Sequence, residues 1–136
     1  MVSIQIDYSG GLRCSATHGP SGAKLATDAP KDNQGLGESF SPTDLLATAL
    51  VTCMLTIMGI AARKHGWKLE GARGFVEKQM VADPQRRIGR LPIRIELPPG
   101  LPKEARPILE QAALTCPVHL SVNPAIERPV TFVYPD

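Results

Sequence analysis

The sequence predicts an α+β fold: a largely antiparallel sheet with one long, buried central helix. Three observations predict it. Short runs of alternating apolar residues are joined in pairs by turn residues. Leu45 to Ala62 runs 18 residues without a charge. The order of elements is three strands, a long helix, two strands, two shorter helices and a last strand, which lacks the strand–helix alternation of a doubly wound sheet.

Val2, Ile4, Ile6 and Tyr8 alternate with polar residues as a half-buried strand does. Gly10-Gly11 is a hairpin turn signal, and Leu12, Cys14 and Ala16 form the apolar side of a second strand. His18 to Gly22 breaks it, and Ala23 to Asp28 reads as a third strand. The stretch from Ala29 to Phe40 reads as a loop of about a dozen residues, a length that inside a compact domain often serves function. A helix of about 24 residues follows. Ser41 is its N-cap, Pro42 its first residue, and Asp44 can reach back to the cap amide. Leu46, Leu50, Cys53, Ile57 and Ile60 follow one face, Arg63, Lys64 and His65 suit the negative end of the dipole, and Gly66 is the C-cap candidate.

Beyond it, Gly74 to Asp83 and Ile88 to Leu97 flank a turn and predict a second hairpin, with Ile93, Ile95 and Leu97 buried. Leu109, Ala112, Ala113 and Cys116 keep helical spacing, with regular helix beginning near Pro107. A break is expected at Cys116-Pro117, Cys116 capping a short helix that runs to Val122. Val130, Phe132 and Tyr134 make the last strand.

At 136 residues, one domain over 1–136 is expected. The net charge of +2 lacks the clustered basic face of a nucleic-acid binder, and Arg86-Arg87 reads as a solvated hairpin tip. The uncharged stretch brushes the length of a membrane span. It holds three Thr, four Ala and a Gly, however, and no second segment resembles it. A buried helix is expected instead, and a helix apolar on nearly every side needs more cover than one small sheet supplies, so a homodimer is expected. Met1-Val2-Ser3-Ile4 runs straight into a strand without a leader pattern, and three widely spaced cysteines do not form a secreted disulfide framework. Both point to a cytoplasmic setting, where paired cysteines tend to be catalytic or metal-binding.

Cys53 and Cys116 are the candidate chemistry. Cys53 is either a core thiol or a reactive one. Cys116, at a helix start, faces unpaired amides that favour the thiolate, or is an ordinary small cap residue. Cys14 reads as core. His119 could share a zinc ion with Cys53 and Cys116, but zinc sites usually show a tighter ligand pair and a fourth ligand. No phosphate loop and no serine triad can be nominated.

Ser41-Pro42-Thr43-Asp44-Leu45-Leu46-Ala47-Thr48-Ala49-Leu50, with Cys53 three residues on, resembles the central-helix motif of the OsmC/Ohr family. Cys116-Pro117-Val118 resembles the family's second cysteine motif. The resemblance implies an OsmC-like fold and an intertwined homodimer with active sites at the interface. It implies a thiol peroxidase that reduces organic hydroperoxides, with Cys53 peroxidatic, Cys116 resolving and Asp44 supporting. It implies no bound cofactor or metal, only an external dithiol reductant, which in the family can be lipoyl-based. The sequence departs from the hydroperoxide-resistance members in two ways. Their glutamate ten positions before the first cysteine is Thr43 here, the acid being Asp44. Their arginine after paired glycines has no clear counterpart in Thr17-His18-Gly19-Pro20, although Arg13 is nearby. The alternative is therefore a non-enzymatic module that binds an apolar small molecule at the dimer interface.

Overall fold

A computed structural model describes residues 1–135, which divide into two compact units, Met1–Leu46 and Ala47 onward. The first unit is an antiparallel sheet of order β1-β2-β3: β1 (Ile4–Gly10), β2 (Arg13–His18) and β3 (Lys24–Asp28). Gly10, Gly11 and Leu12 turn the first hairpin with φ of 84°, 61° and 63°, a left-handed path that glycine takes at no steric cost. Along β1, Ile4, Ile6 and Tyr8 are 57%, 60% and 66% exposed. Cys14 is half-buried and stands outside the hydrophobic core, contrary to the expectation from its strand face. The buried apolar residues of the chain all lie from Ala47 onward, in the second unit.

The loop from 29 to 40 is closed on itself around a buried carboxylate. Asp28 Oδ2 accepts the Glu38 amide at 3.0 Å and faces Arg13 at 3.4 Å, and Arg13 also pairs with Glu38. Gly37 donates to the Ala29 carbonyl and Gly35 to that of Pro30. The loop thus delivers the chain to Ser41 without further regular structure than a 3-10 turn at Lys31–Asn33.

The long helix α1 (Pro42–His65) has the expected bounds. The Ser41 amide donates to Asp44 Oδ2 at 2.9 Å, and the Asp44 amide to Ser41 Oγ at 3.1 Å, a reciprocal capping box. At the other end Gly66 (φ 75°) donates to the Arg63 carbonyl and Trp67 to that of Ala62, the paired bonds of a Schellman stop. The buried stripe differs from the expected one. It consists of Ala47, Leu50, Val51, Met54, Met58 and Ala62, whereas Leu46 and Ile60 are exposed. Small and flexible side chains line this stripe because strands approach it closely: a Cβ at Gly74 would collide with Val51 Cγ1. By length and composition α1 could cross a membrane; within this chain it packs one face into a core and leaves the other uncovered.

The second unit carries that core. The expected hairpin is broken in both arms, so it pairs as two ladders. β4 (Arg73–Val76) lies antiparallel to β7 (Ile93–Glu96), and β5 (Gln79–Val81) to β6 (Arg87–Arg90). β8 (Val130–Val133) joins β7 in parallel, giving the order β4-β7-β8. The antiparallel pairing was expected, the parallel one was not. α2 (Ala105–Leu114) and α3 (Pro117–Ser121) lie between β7 and β8 in sequence. Leu50, Met54 and Met58 of α1, Ile93 and Ile95 of β7, and Leu109 and Ala113 of α2 form one buried cluster.

Candidate functional site

α1 carries Cys53 half-buried, packed against that cluster at its partly covered margin. The second thiol is set by a helix break. Pro117 has no N–H to continue α2, so α2 ends at Leu114 and α3 begins afresh, with Cys116 as its N-cap in extended backbone (φ −66°, ψ 149°). Cys116 is fully buried, and its Sγ accepts the His119 amide at 3.3 Å. The structure brings the Cys53 and Cys116 thiols into side-chain hydrogen-bonding contact.

The electrostatics of the pair follow from this arrangement. Burial pushes the Cys116 thiol up, the amides of His119 and Val118 pull it down, and the contact with Cys53 pushes it up again, for a net rise. Cys116 therefore holds its proton at neutral pH.

His119 gives its backbone, rather than its ring, to the site. Its imidazole is held below the usual histidine range by burial and by Arg128, and its buried Nδ1 finds no hydrogen-bond partner. It is neutral at neutral pH. Among the described residues no three His, Cys, Asp or Glu side chains gather as a metal site. Asp44 is engaged in the capping box. Nine residues before Cys53, it lies two and a half turns away, about 13.5 Å along the axis and on the opposite side of α1. Cys14 belongs to the first unit, where it lines a small cavity with Arg13 and Asp28.

Arg128 is a residue that sequence reasoning missed. Its Nη1 donates to the His119 carbonyl at 2.6 Å and its Nε to that of Ile126 at 3.2 Å. A lone arginine between Glu127 and Pro129 carries no periodic or motif signal that ties it to a cysteine.

Fold and site define a class: an α+β protein whose long helix and a helix-capping turn present two thiols to each other. The chain belongs to the OsmC family, whose model, described as OsmC-like protein, matches residues 35–128. It is 46% identical to a solved protein from Psychrobacter arcticus 273-4 provisionally described as an osmotic stress induced and detoxification response protein. That match has a TM-score of 0.91 and covers 97% of this chain and 96% of the other. It shares its fold with the organic hydroperoxide resistance protein OsmC of Legionella pneumophila (16% identity, 98% and 96% of the chains, TM-score 0.78). The same holds for an organic hydroperoxide resistance protein of Elizabethkingia anophelis with thiocyanate bound (14%, 99% and 96%, 0.77). Among the curated proteins none matches.

Proposed function

We propose that the protein reduces organic hydroperoxides with the Cys53–Cys116 pair, as a cytoplasmic defence against peroxide stress. The observation that carries this reading is the thiol–thiol contact of Cys53 with Cys116. The names of the Legionella and Elizabethkingia relatives point the same way.

The Cys53 thiolate attacks the distal oxygen of the hydroperoxide. The O–O bond breaks, the alkoxide leaves and takes a proton to become the alcohol, and Cys53 becomes a sulfenic acid. Cys116 loses at that moment the Cys53 thiolate that kept its proton in place, while the His119 and Val118 amides still pull its thiol down. Its thiolate attacks the Cys53 sulfur, an S–S bond forms, and hydroxide leaves as water. An external dithiol, for which a lipoyl group is the candidate, then takes the disulfide's place as the oxidised species and restores both thiols.

A homodimer completes the site in this reading. The face of α1 that bears Leu46, Ala49, Thr52, Thr56 and Ile60 is uncovered, Ile60 being 59% exposed, and Cys53 borders it. A second copy would cover this stripe and the outer faces of β1, and only a second copy's Asp44 could support Cys53. The test is peroxide-dependent oxidation of a dithiol by the purified protein. Turnover that Cys53→Ser removes and Cys14→Ser leaves intact is expected; equal turnover in all three proteins contradicts the proposal.

The second reading, a binding module for an apolar small molecule, is favoured by two observations. Burial works against a Cys116 thiolate. A groove of about 600 Å³ lined by Thr56, Gly59, Ile60, Arg63, Trp67 and Leu69 runs beside α1. Quenching of Trp67 by an apolar probe, without peroxide-driven dithiol oxidation, would select it.

A further inference from the structure

We infer that Arg128 is a positioning residue for Cys116: by holding the His119 carbonyl it fixes the α3 turn whose amides receive the Cys116 sulfur. This role rests on the proposed function only in calling Cys116 the resolving thiol.

Three hydrogen bonds define the turn. The His119 amide donates to Cys116 Sγ at 3.3 Å, the Leu120 amide donates to the Cys116 carbonyl at 3.1 Å, and the His119 carbonyl accepts Arg128 Nη1 at 2.6 Å. The His119 carbonyl and the Leu120 amide are the two ends of one planar peptide group. Arg128 therefore grips the very peptide that closes the turn onto Cys116. The grip is external to α3, and it matters because a five-residue helix is too short to hold itself. Nε of the same guanidinium bonds the Ile126 carbonyl at 3.2 Å, so the fork ties α3 to the segment that leads into β8. A charge-assisted, two-pronged arginine bond gives such a tie both strength and direction.

The groups that act on the Cys116 sulfur are Cys53 from α1 and the Val118 and His119 amides of α3, while Arg128 meets the turn at the His119 carbonyl and the His119 ring is neutral. Burial and Cys53 disfavour the Cys116 thiolate, and the two amides alone favour it. If the turn loosens, the amides leave the sulfur and nothing offsets the burial. The first oxidation, at Cys53, does not call on these amides. The later disulfide step does.

Two readouts on the full-length protein test this, neither of them needing peroxide turnover. One is the pH titration of the Cys116 β-carbon shift by ¹³C NMR. The other is amide hydrogen exchange at His119 and Leu120. Arg128→Gln should raise the Cys116 midpoint by about one unit, a tenfold loss of thiolate at a given pH, and speed exchange at both amides by about tenfold. Arg128→Lys, which keeps the charge and one donor, should move both readouts the same way by less. A midpoint that moves while exchange does not would assign the effect to charge alone and overturn positioning, as would no change in either. Where Arg128→Gln fails to fold, the lysine variant decides by the same two signs. A shifted midpoint in a protein that lacks peroxidase activity would sustain the positioning role and overturn the proposed function.

Discussion

The two units of this chain handle apolar surface in opposite ways. In the first, the buried residues among those described are Asp28 and Ser41, both polar, while Ile4, Ile6 and Tyr8 stand in solvent. In the second, sixteen apolar residues from Ala47 to Ile126 form a continuous core. Hydrophobic burial is the main force that offsets chain entropy, so the second unit carries the stability that its own apolar contacts supply, and the first has little of that kind. The thiol pair sits in the well-packed unit. Cys14 belongs to the other unit.

The largest effects should come from the packed unit. Cys53→Ser should reduce hydroperoxide turnover to background, because an alcohol does not replace a thiolate as nucleophile. Cys116→Ser should stop turnover after one oxidation and leave a sulfenic acid that a dimedone-type reagent traps on Cys53. Leu109→Ala, at a fully buried position, should cost about 2–5 kcal/mol in denaturant unfolding. A loss below 1 kcal/mol there would break the contrast between the units.

The exposed unit makes the next prediction. Light scattering at micromolar concentration should give twice the 14.6 kDa chain mass. Ile6→Asp should lower that mass to one chain, although Ile6 is 60% exposed within its own chain. A wild-type monomer with the full melting temperature would show that the bare β1 faces need no cover.

A smaller effect is set by pH. His119 is held below its ordinary value, so its contribution to stability is present above the unfolded histidine value of 6.5 and is lost as pH falls through the folded one. Melting temperature should therefore fall between pH 7 and pH 5, and His119→Gln should flatten that fall. Cys116 has the opposite sign. Its thiol is raised above 9.0, so its contribution is present below that value and is lost as pH rises through the folded one. Cys116→Ser should flatten the alkaline side instead.

Much of this was legible because it is written locally. Ser41, Pro42, Asp44 and Gly66 punctuate α1 by residue type alone, and Cys116-Pro117 announces its own helix break. Which face of α1 is buried was not legible. On a helix apolar all round, period does not choose a side. The close approach of Gly74 to Val51 does, and that is a fact of tertiary packing. The parallel pairing of β8 with β7 was hidden for the same reason, since a four-residue strand does not state its direction. Of the site, both thiols were legible by motif and their meeting was not. Arg128 was invisible, because its partners are backbone carbonyls that any sequence would supply.

The central claim, that Cys53 and Cys116 act as one redox unit, is tested most directly by peptide mass mapping after a single equivalent of an organic hydroperoxide. The account predicts a Cys53–Cys116 disulfide within one chain and an unmodified Cys14. A disulfide or sulfenic acid at Cys14, or a Cys53 that oxidises no faster than Cys14, would contradict it.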